Sequence, residues 1–345
     1  MDLNNLSFNS SRRFGVEIEL NSSDNRDFQE FPLASGELPE GIYDIANMIT
    51  NHLGEKTLVK GWHSTHHNDG WVLKPDRSCG IEVCSPVSKG WEGIKSICNV
   101  VDLFEKTPQI LADGRCSLHV HVDVSDCATE EVAKILYWWI KCESVFLDSV
   151  PFSRKKNRYC QCIGMTDLFE HDAQFDSYSV LKKLGSQKYY TANCYHYLKN
   201  ERRTIEFRII EGAGCKNSFL VKNWLKLILH FVEMAIKAPY PMNYNYNNPN
   251  SGFCWLDLQD VMKFLGFSGE YNLSKGLLQV RDWFLLRIQQ NTSIKDVNSF
   301  PGIWSEAARK ISKLQLNEIL EKCNILDQTQ IVDRNELLYS EEYKY

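Results

Sequence analysis

RFGVEIEL, at residues 13–20, alternates apolar and polar side chains along most of its length. The even-numbered positions from Phe14 to Leu20 are apolar, whereas positions 17 and 19 are glutamates. Because successive side chains of a β-strand point to opposite faces, this period of two predicts a half-buried strand. Such a strand places its apolar face on a core and displays two carboxylates on the other face.

Three more segments show the same alternation, at residues 80–85, 117–124 and 204–210. Residues 71–74 predict a further strand, which the turn-forming sequence PDRSCG at 75–80 folds back on the strand after it as a hairpin. If all the apolar faces pack on helices, one sheet face displays a shared set of polar side chains. That set is Glu17, Glu19, Glu82, His119, His121, Glu206 and Arg208.

Segments with helical periodicity lie between these strands and after them. Amphipathic patterns predict helices at 42–53, 91–104, 130–150 and 218–238, with Thr129 as the N-cap of the third. Strands mixed with helices, followed by helices in excess, predict an α+β fold. We expect a catalytic domain at 1–239, an irregular Asn/Tyr/Pro-rich linker at 240–252, and a helical C-terminal region at 253–345, with helices near 256–265, 273–290 and 305–326.

Composition excludes several classes of protein. The 345 residues include 39 Lys+Arg and 44 Asp+Glu, so a net charge of −5 gives no indication of nucleic-acid binding. Apolar runs fall short of the ~20 residues that span a membrane, and residues 1–13 do not resemble a secretory signal. The 12 cysteines form no CxxC pair, which predicts reduced, buried thiols in a cytoplasmic protein.

The polar sheet face predicts a metal site. Carboxylates grouped beside imidazoles repel one another unless cations lie among them, and this ligand set suits Mg²⁺ or Mn²⁺. Same-face residues of a strand are ~6.6–7 Å apart, so Glu17 and Glu19 would serve two adjacent ions. Arg208 adds a guanidinium that can bind phosphate oxygens, which together with the metals suggests a nucleotide polyphosphate.

Five segments in this order resemble the amidoligase family of the carboxylate–amine ligase superfamily, which includes glutamine synthetase and glutamate–cysteine ligase. They are FGVEIE (14–19), WVLKPDRS…GIEVCSP (71–86), CSLHVHVDV (116–124), YTANCYHY (190–197) and RTIEFRIIEG (203–212). The resemblance covers roughly residues 12–238. It implies a curved, mostly antiparallel, glutamine synthetase-like sheet, with helices packed on its convex face. The concave face would hold two or three Mg²⁺ ions and the phosphates of ATP.

The resemblance also implies roles for individual residues. Glu17, Glu19, Glu82, His119 and Glu206 correspond to metal ligands, and Asp76 stands where the ligases usually supply a glutamate. His121, Asn193, Lys74 and Arg208 are expected to contact the nucleotide or its phosphates. Arg208, Glu19 and Glu206 form the expected catalytic set, in which Arg208 steadies the transferred phosphoryl group.

The implied activity is ATP-dependent amide formation through an acyl phosphate, with a carboxylate-bearing substrate and an amine acceptor. The acceptor is an amino acid, a peptide or another small molecule. Loops at 54–70 and 152–188 are candidates for excluding water from the intermediate.

Other interpretations remain open at this point. A phosphagen-type kinase uses a similar sheet, a metallohydrolase would activate water without a nucleotide, and a binding protein would keep the site without activity. Singly, VEIE is more typical of a solvated strand face and IEFR of a cross-strand ion pair.

Overall fold

A computed structural model describes residues 5–6, 8, 11–22, 38, 40–61, 70–76, 78–163, 177–239, 256–268 and 272–292. Its strands are β1 (Asn5–Leu6), β2 (Arg13–Ser22), β3 (Leu58–Val59), β4 (Val72–Asp76), β5 (Gly80–Cys84), β6 (Ser88–Lys89), β7 (Ile110–Leu111), β8 (Ser117–Asp123), β9 (Ala192–Asn193), β10 (Thr204–Glu211) and β11 (Asn272–Leu273). Its helices are α1 (Glu40–Leu53), α2 (Gly90–Glu105), α3 (Thr129–Asp148), α4 (Phe152–Lys155), α5 (Ser177–Leu184), α6 (Tyr195–Leu198), α7 (Ser218–Lys237), α8 (Leu258–Phe264) and α9 (Lys275–Asn291).

The chain divides into two compact units. The strand-rich unit comprises Ser11–Asp123 and Glu206–Leu225, and the helical unit comprises Met1–Ser10, Val124–Ile205 and Lys226–Tyr345. The predicted linker at 240–252 and the predicted helix at 305–326 lie outside the described residues. The proposed domain boundary therefore stays a prediction, while α8 lies within and α9 overlaps the segments predicted to contain the first two C-terminal helices.

Strand β2 lies at the centre of the sheet in the strand-rich unit. The strand order there is β3–β4–β5–β2–β8–β10, and β6 and β7 also pair with β2. Pairing is antiparallel between β2 and each of β5, β6, β7 and β8, and between β4 and β5, whereas β3 and β4 are parallel. This confirms the prediction of helices combined with a mostly antiparallel sheet. The predicted curvature, with helices on a convex face, stays a prediction.

The register of the sheet puts the predicted polar residues on one face. Glu17 is paired with His119, and Glu19 is paired with Glu82. Residues paired across neighbouring antiparallel strands point to the same side. The alternate positions, such as Ile18, Val83 and Leu118, are fully buried on the other side. Burial of each such side chain contributes roughly 1.5–3 kcal/mol to folding.

The hairpin of β4 and β5 closes as its sequence predicts. The side chain of Asp76 accepts hydrogen bonds from the backbone N–H of Ser78, at 2.6 Å, and from the Ser78 hydroxyl. Gly80 has a φ of +132°, which L side chains rarely adopt. The turn therefore depends on an Asp side chain and a glycine, as is common in tight turns.

The backbone just after β10 packs closely against the backbone that leads into β8. A Cβ atom on Gly212, just after β10, would collide with the carbonyl oxygen of Asp113 and lie 3.0 Å from that of Cys116. Only glycine fits there without a shift of the main chain. The contact positions the residues that lead into Ser117, the first residue of β8.

Helix α3 forms the centre of the helical unit. The aromatic rings of Trp139 and Phe146 pack at 4.7 Å between centroids, and both make edge contacts with Phe231. The predicted N-cap of this helix was wrong by one residue. Ala128 occupies the N-cap and Thr129 is the first helical residue, and the Glu131 side chain accepts a hydrogen bond from the backbone N–H of Ala128 at 2.9 Å.

All ten cysteines within the described residues are free thiols, nine of them buried, as predicted. Cys254 and Cys323 lie outside those residues. No helix in the described part of the chain combines the length and the apolar character needed to cross a membrane. Cytoplasmic localisation stays a prediction.

His230 on α7 gives a testable dependence of stability on pH. Its Nε2–H donates to the carbonyl oxygen of Leu265 at 2.8 Å, and its ring stacks on Phe267. Burial lowers the pKa of His230 from 6.5 to about 4, assisted by Lys237 and opposed by Glu233. Because the unfolded chain binds the proton first, we expect the free energy of unfolding to fall as the pH drops from 6.5 towards 4, by up to about 3 kcal/mol.

Urea denaturation at a series of pH values measures this effect. His230→Gln should flatten that part of the pH profile, whereas the same change at the exposed His52 should leave it as in the parent protein. Parallel profiles for the parent and His230→Gln would contradict the prediction.

Candidate active site

His119 lies among three carboxylates on the polar sheet face. Its Nδ1 atom is 3.4 Å from Glu17 Oε2 and 3.4 Å from Glu206 Oε1, while its Nε2 atom is 3.5 Å from Glu19 Oε1. His121 joins the same cluster, with Nε2 at 3.2 Å from Glu17 Oε1. The structure therefore brings together side chains that come from three separate strands, β2, β8 and β10.

Ser117 connects His119 to Glu19. Its hydroxyl donates to Glu19 Oε2 at 2.6 Å, and its oxygen lies 2.7 Å from His119 Nε2. A hydroxyl that donates to the carboxylate accepts from the imidazole, which places the ring proton on Nε2. The lone pair of Nδ1 then faces Glu17 and Glu206, as in a metal-binding histidine whose other nitrogen is held by hydrogen bonds.

Sequence reasoning did not assign a role to Ser117. Strand alternation could have indicated it, because Ser117 stands two residues before His119 and therefore lies on the same strand face. Its neighbour across the sheet could not be read from the sequence.

Arg208 provides a buried positive charge beside this cluster. Its guanidinium is ion-paired with Glu206 and lies 3.3 Å from His119 Nδ1 through Nη1. Burial alone would lower the pKa of Arg208, but Glu206 and Glu19 raise it above its usual value. Arg208 therefore stays charged.

The same contacts set the charge state of the glutamates. Burial would raise the pKa of Glu206, but Arg208, His121 and His119 together lower it to about 2. For Glu17, burial would raise the pKa, but the nearby His121 and Lys74 hold it well below its usual range. For Glu19 burial prevails, and its pKa is raised. Glu17 and Glu206 are thus held in the anionic form.

The donor atoms fit a divalent cation. One ligand atom each from Glu17, His121 and Glu206 lies within 4.8 Å of the others. His119 Nδ1 faces two of these three residues. Carboxylate oxygens with imidazole suit Mn²⁺, and the carboxylates alone suit Mg²⁺. A bound cation would also offset the negative charge of these carboxylates.

A second group of ligand atoms surrounds Glu82. Glu17, Glu82 and Cys84 offer atoms within 4.8 Å of one another. Glu82 Oε1 accepts from the Cys84 thiol at 2.9 Å and is 2.7 Å from Lys74 Nζ. Sequence reasoning missed Cys84, although it stands two residues after Glu82 and on the same strand face.

Two other predicted residues have local partners. Asp76 bonds to Ser78 in the hairpin turn, and its charge contributes to the raised pKa of Glu19. Asn193 belongs to the helical unit, where its amide donates to the carbonyl oxygen of Lys188 and accepts from the backbone N–H of Tyr195. The metal role of Asp76 and the nucleotide role of Asn193 stay predictions.

The two loops expected to exclude water are described only in part. Residues 62–69 and 164–176 lie outside the described residues. Their covering role stays a prediction.

Comparison with known proteins identifies the family. The family model described as "putative amidoligase enzyme" matches residues 10–232. The chain belongs to this amidoligase family. The match includes every site residue predicted above, and it confirms the family that the five segments indicated.

A solved structure and a search of curated proteins complete the comparison. The amidoligase is similar to a bifunctional glutathione synthetase from Pasteurella multocida, with a TM-score of 0.45 and 10% identity. That likeness covers 94% of this chain and 55% of the other, so the amidoligase spans about half its length. At this identity and TM-score it assigns no activity to this chain. No curated protein matches the sequence.

Proposed function

We propose that this amidoligase joins a carboxylate to an amine in an ATP-dependent reaction that uses a divalent metal. The observation that carries the proposal is the cluster of Glu17, His119, His121 and Glu206 with Arg208 on one sheet face. Membership of the amidoligase family supports amide formation as the outcome. Substrates of this class are a carboxylate-bearing molecule and an amino acid, peptide or other small amine.

Mg²⁺ or Mn²⁺ would be held by Glu17, Glu206 and His119, with Glu19 as a ligand of a neighbouring ion. A metal held by these residues would supply positive charge to the polyphosphate and to the phosphoryl group in transfer. Ser117 keeps His119 in the tautomer whose Nδ1 faces the metal ligands. Metal binding by Glu82 and Asp76 stays a prediction.

The chain's own residues orient the phosphoryl group. Arg208 is held by Glu206 and can place a planar, permanently charged guanidinium beside the phosphoryl oxygens. His121 lies on the same strand as His119 and would contact a nucleotide phosphate. Lys74, on β4, would supply a further positive charge to the nucleotide. These groups are largely buried, which strengthens their electrostatic effect on the transition state.

A free carboxylate is a poor electrophile, and this determines the order of steps. Transfer of the γ-phosphoryl group to the carboxylate gives an acyl phosphate and ADP. The amine then attacks the acyl carbon, the bond to phosphate breaks, and the proton lost by the amine leaves with a base or with phosphate. Water would hydrolyse the acyl phosphate, so the site has to be covered between the two steps.

Hydroxylamine provides a test that does not require the natural amine. Purified protein is incubated with ATP, Mn²⁺, hydroxylamine and a panel of ¹⁸O-labelled carboxylates, and hydroxamate, ADP and phosphate are measured. An acyl phosphate predicts hydroxamate in proportion to ADP, and one ¹⁸O atom in the released phosphate. A stable phosphorylated product without phosphate release would favour a phosphagen-type kinase, and turnover without nucleotide would favour a hydrolase.

A further inference from the structure

Lys74 occupies an unusual place on the site face. Its Nζ atom lies 2.7 Å from Glu82 Oε1, and the exposed fractions of the two side chains are only 11% and 13%. The two residues are paired across β4 and β5, so the contact is built into the register of the hairpin. This ion pair lies on the same sheet face as Glu17 and His119.

Three groups meet at the Glu82 carboxylate. The Glu82 oxygen that faces the ammonium of Lys74 also accepts a hydrogen bond from the Cys84 thiol. Ligand atoms of Glu17, Glu82 and Cys84 lie within 4.8 Å of one another. Burial would lower the pKa of Lys74, but the carboxylates of Glu82 and Glu17 raise it above its usual value. The ammonium is therefore fully charged, and it is attracted by the same carboxylates that would attract a metal ion.

The two groups of ligand atoms, called here the histidine end and the Glu82 end of the site, differ in chemistry. The group formed by Glu17, His121 and Glu206 offers two carboxylates and an imidazole to a cation. The group formed by Glu17, Glu82 and Cys84 offers a thiol in place of the imidazole, and thiols are poor partners for Mg²⁺. This second group also already has a cation beside it, the ammonium of Lys74.

We propose that the Lys74 ammonium takes the place of a metal ion at Glu82, so that the divalent cations bind only at the histidine end of the site. Glu82 is then a positioning residue that holds Lys74 beside Glu17, and Cys84 fixes the Glu82 carboxylate by a hydrogen bond. The proposal rests on the proposed function, because it concerns the metal content of that same site. It assigns a fixed monovalent charge where the family resemblance implied a metal ligand.

Mn²⁺ binding to the full-length protein tests this directly. Free Mn²⁺ is measured by electron paramagnetic resonance during titration of the parent protein, Glu82→Gln, Lys74→Met and the double variant. We expect Glu82→Gln and the double variant to bind as many ions as the parent. Lys74→Met should bind one more ion per chain, because Glu82 is then left without its cation and can share a second ion with Glu17.

The controls separate a local effect from a change in net charge. Lys95→Met and Glu92→Gln make the same two changes at exposed positions of α2 and should leave the ion count unchanged. Lys74→Arg keeps the positive charge and should bind like the parent protein. Near-ultraviolet circular dichroism establishes that each variant is folded.

The proposal and the proposed function fail in different ways. Loss of an ion in Glu82→Gln would overturn the proposal, because Glu82 would then be a metal ligand. An unchanged ion count in folded Lys74→Met would also overturn it. If Lys74→Met does not fold, the result with the nearly isosteric Glu82→Gln decides. A parent protein that binds no Mn²⁺ would overturn the proposed function, whereas an ion gained by Lys74→Met would still support the role of Lys74.

Discussion

Arg208→Ala is expected to lower ATP-dependent turnover on the order of a thousand-fold or more. An arginine that stabilises charge on a transferring phosphoryl group contributes roughly 10³–10⁵ to turnover in other phosphoryl-transfer enzymes. Arg208 is the arginine that the structure places against Glu206 and His119, within the metal-capable cluster. We expect the loss to appear in kcat, because the contact matters most when charge develops in the transition state.

The variant also leaves Glu206 without its ion-pair partner. Breaking a buried pair costs about 3–5 kcal/mol of stability, so the fold has to be checked by thermal denaturation. Arg208→Lys keeps the charge but loses the planar fork, and we expect it to remain folded with most of the activity lost. Arg115→Ala, at an exposed arginine of the strand-rich unit, is the matched control. Turnover near the parent value in folded Arg208→Ala would exclude Arg208 from catalysis.

Glu17→Gln is expected to abolish turnover and to weaken Mn²⁺ binding at least about 100-fold. Loss of a residue that only supports a metal ligand already costs about 10–100-fold in affinity, so loss of a ligand should cost more. Glu17 contacts both histidines and belongs to both groups of ligand atoms. The change to glutamine keeps the size of the side chain and removes its negative charge.

Isothermal titration with Mn²⁺ and an ATP-consumption assay measure the two effects. Glu92→Gln makes the same change on the exposed face of α2 and should preserve both properties. Normal Mn²⁺ affinity in Glu17→Gln would show that the metal, if it binds, is held elsewhere.

Strand alternation was sufficient to predict the face that carries the site. Because the side-chain period of a strand is two, Glu17, His119 and Glu206 were assigned to polar faces without any knowledge of the sheet. The hairpin of β4 and β5 was also predictable, since its turn is encoded by Asp76 and Gly80. The observed register, with Glu17 opposite His119, agrees with that assignment.

The partners within the face were not predictable in the same way. Ser117 and Cys84 share the polar face by the same alternation, but short polar or thiol side chains carry no signal that separates a hydrogen-bond partner from a packing residue. Lys74 was predicted to contact the nucleotide, whereas its nearest described partner is Glu82. That contact depends on which residues face each other across the β4–β5 ladder.

The sequence by itself determined the five longer strands, their polar faces, the resemblance to the family and the chemistry of the donor set. These properties are local, because they depend on side-chain identity and on the period of the backbone. Only the tertiary structure decided which groups meet across neighbouring strands: Lys74 with Glu82, His119 with Glu17, and Ser117 with Glu19. Electrostatic and hydrogen-bond energies fall steeply with distance, so these partners follow from the register of neighbouring strands, and Ser117 and Glu19 are 98 residues apart in the chain.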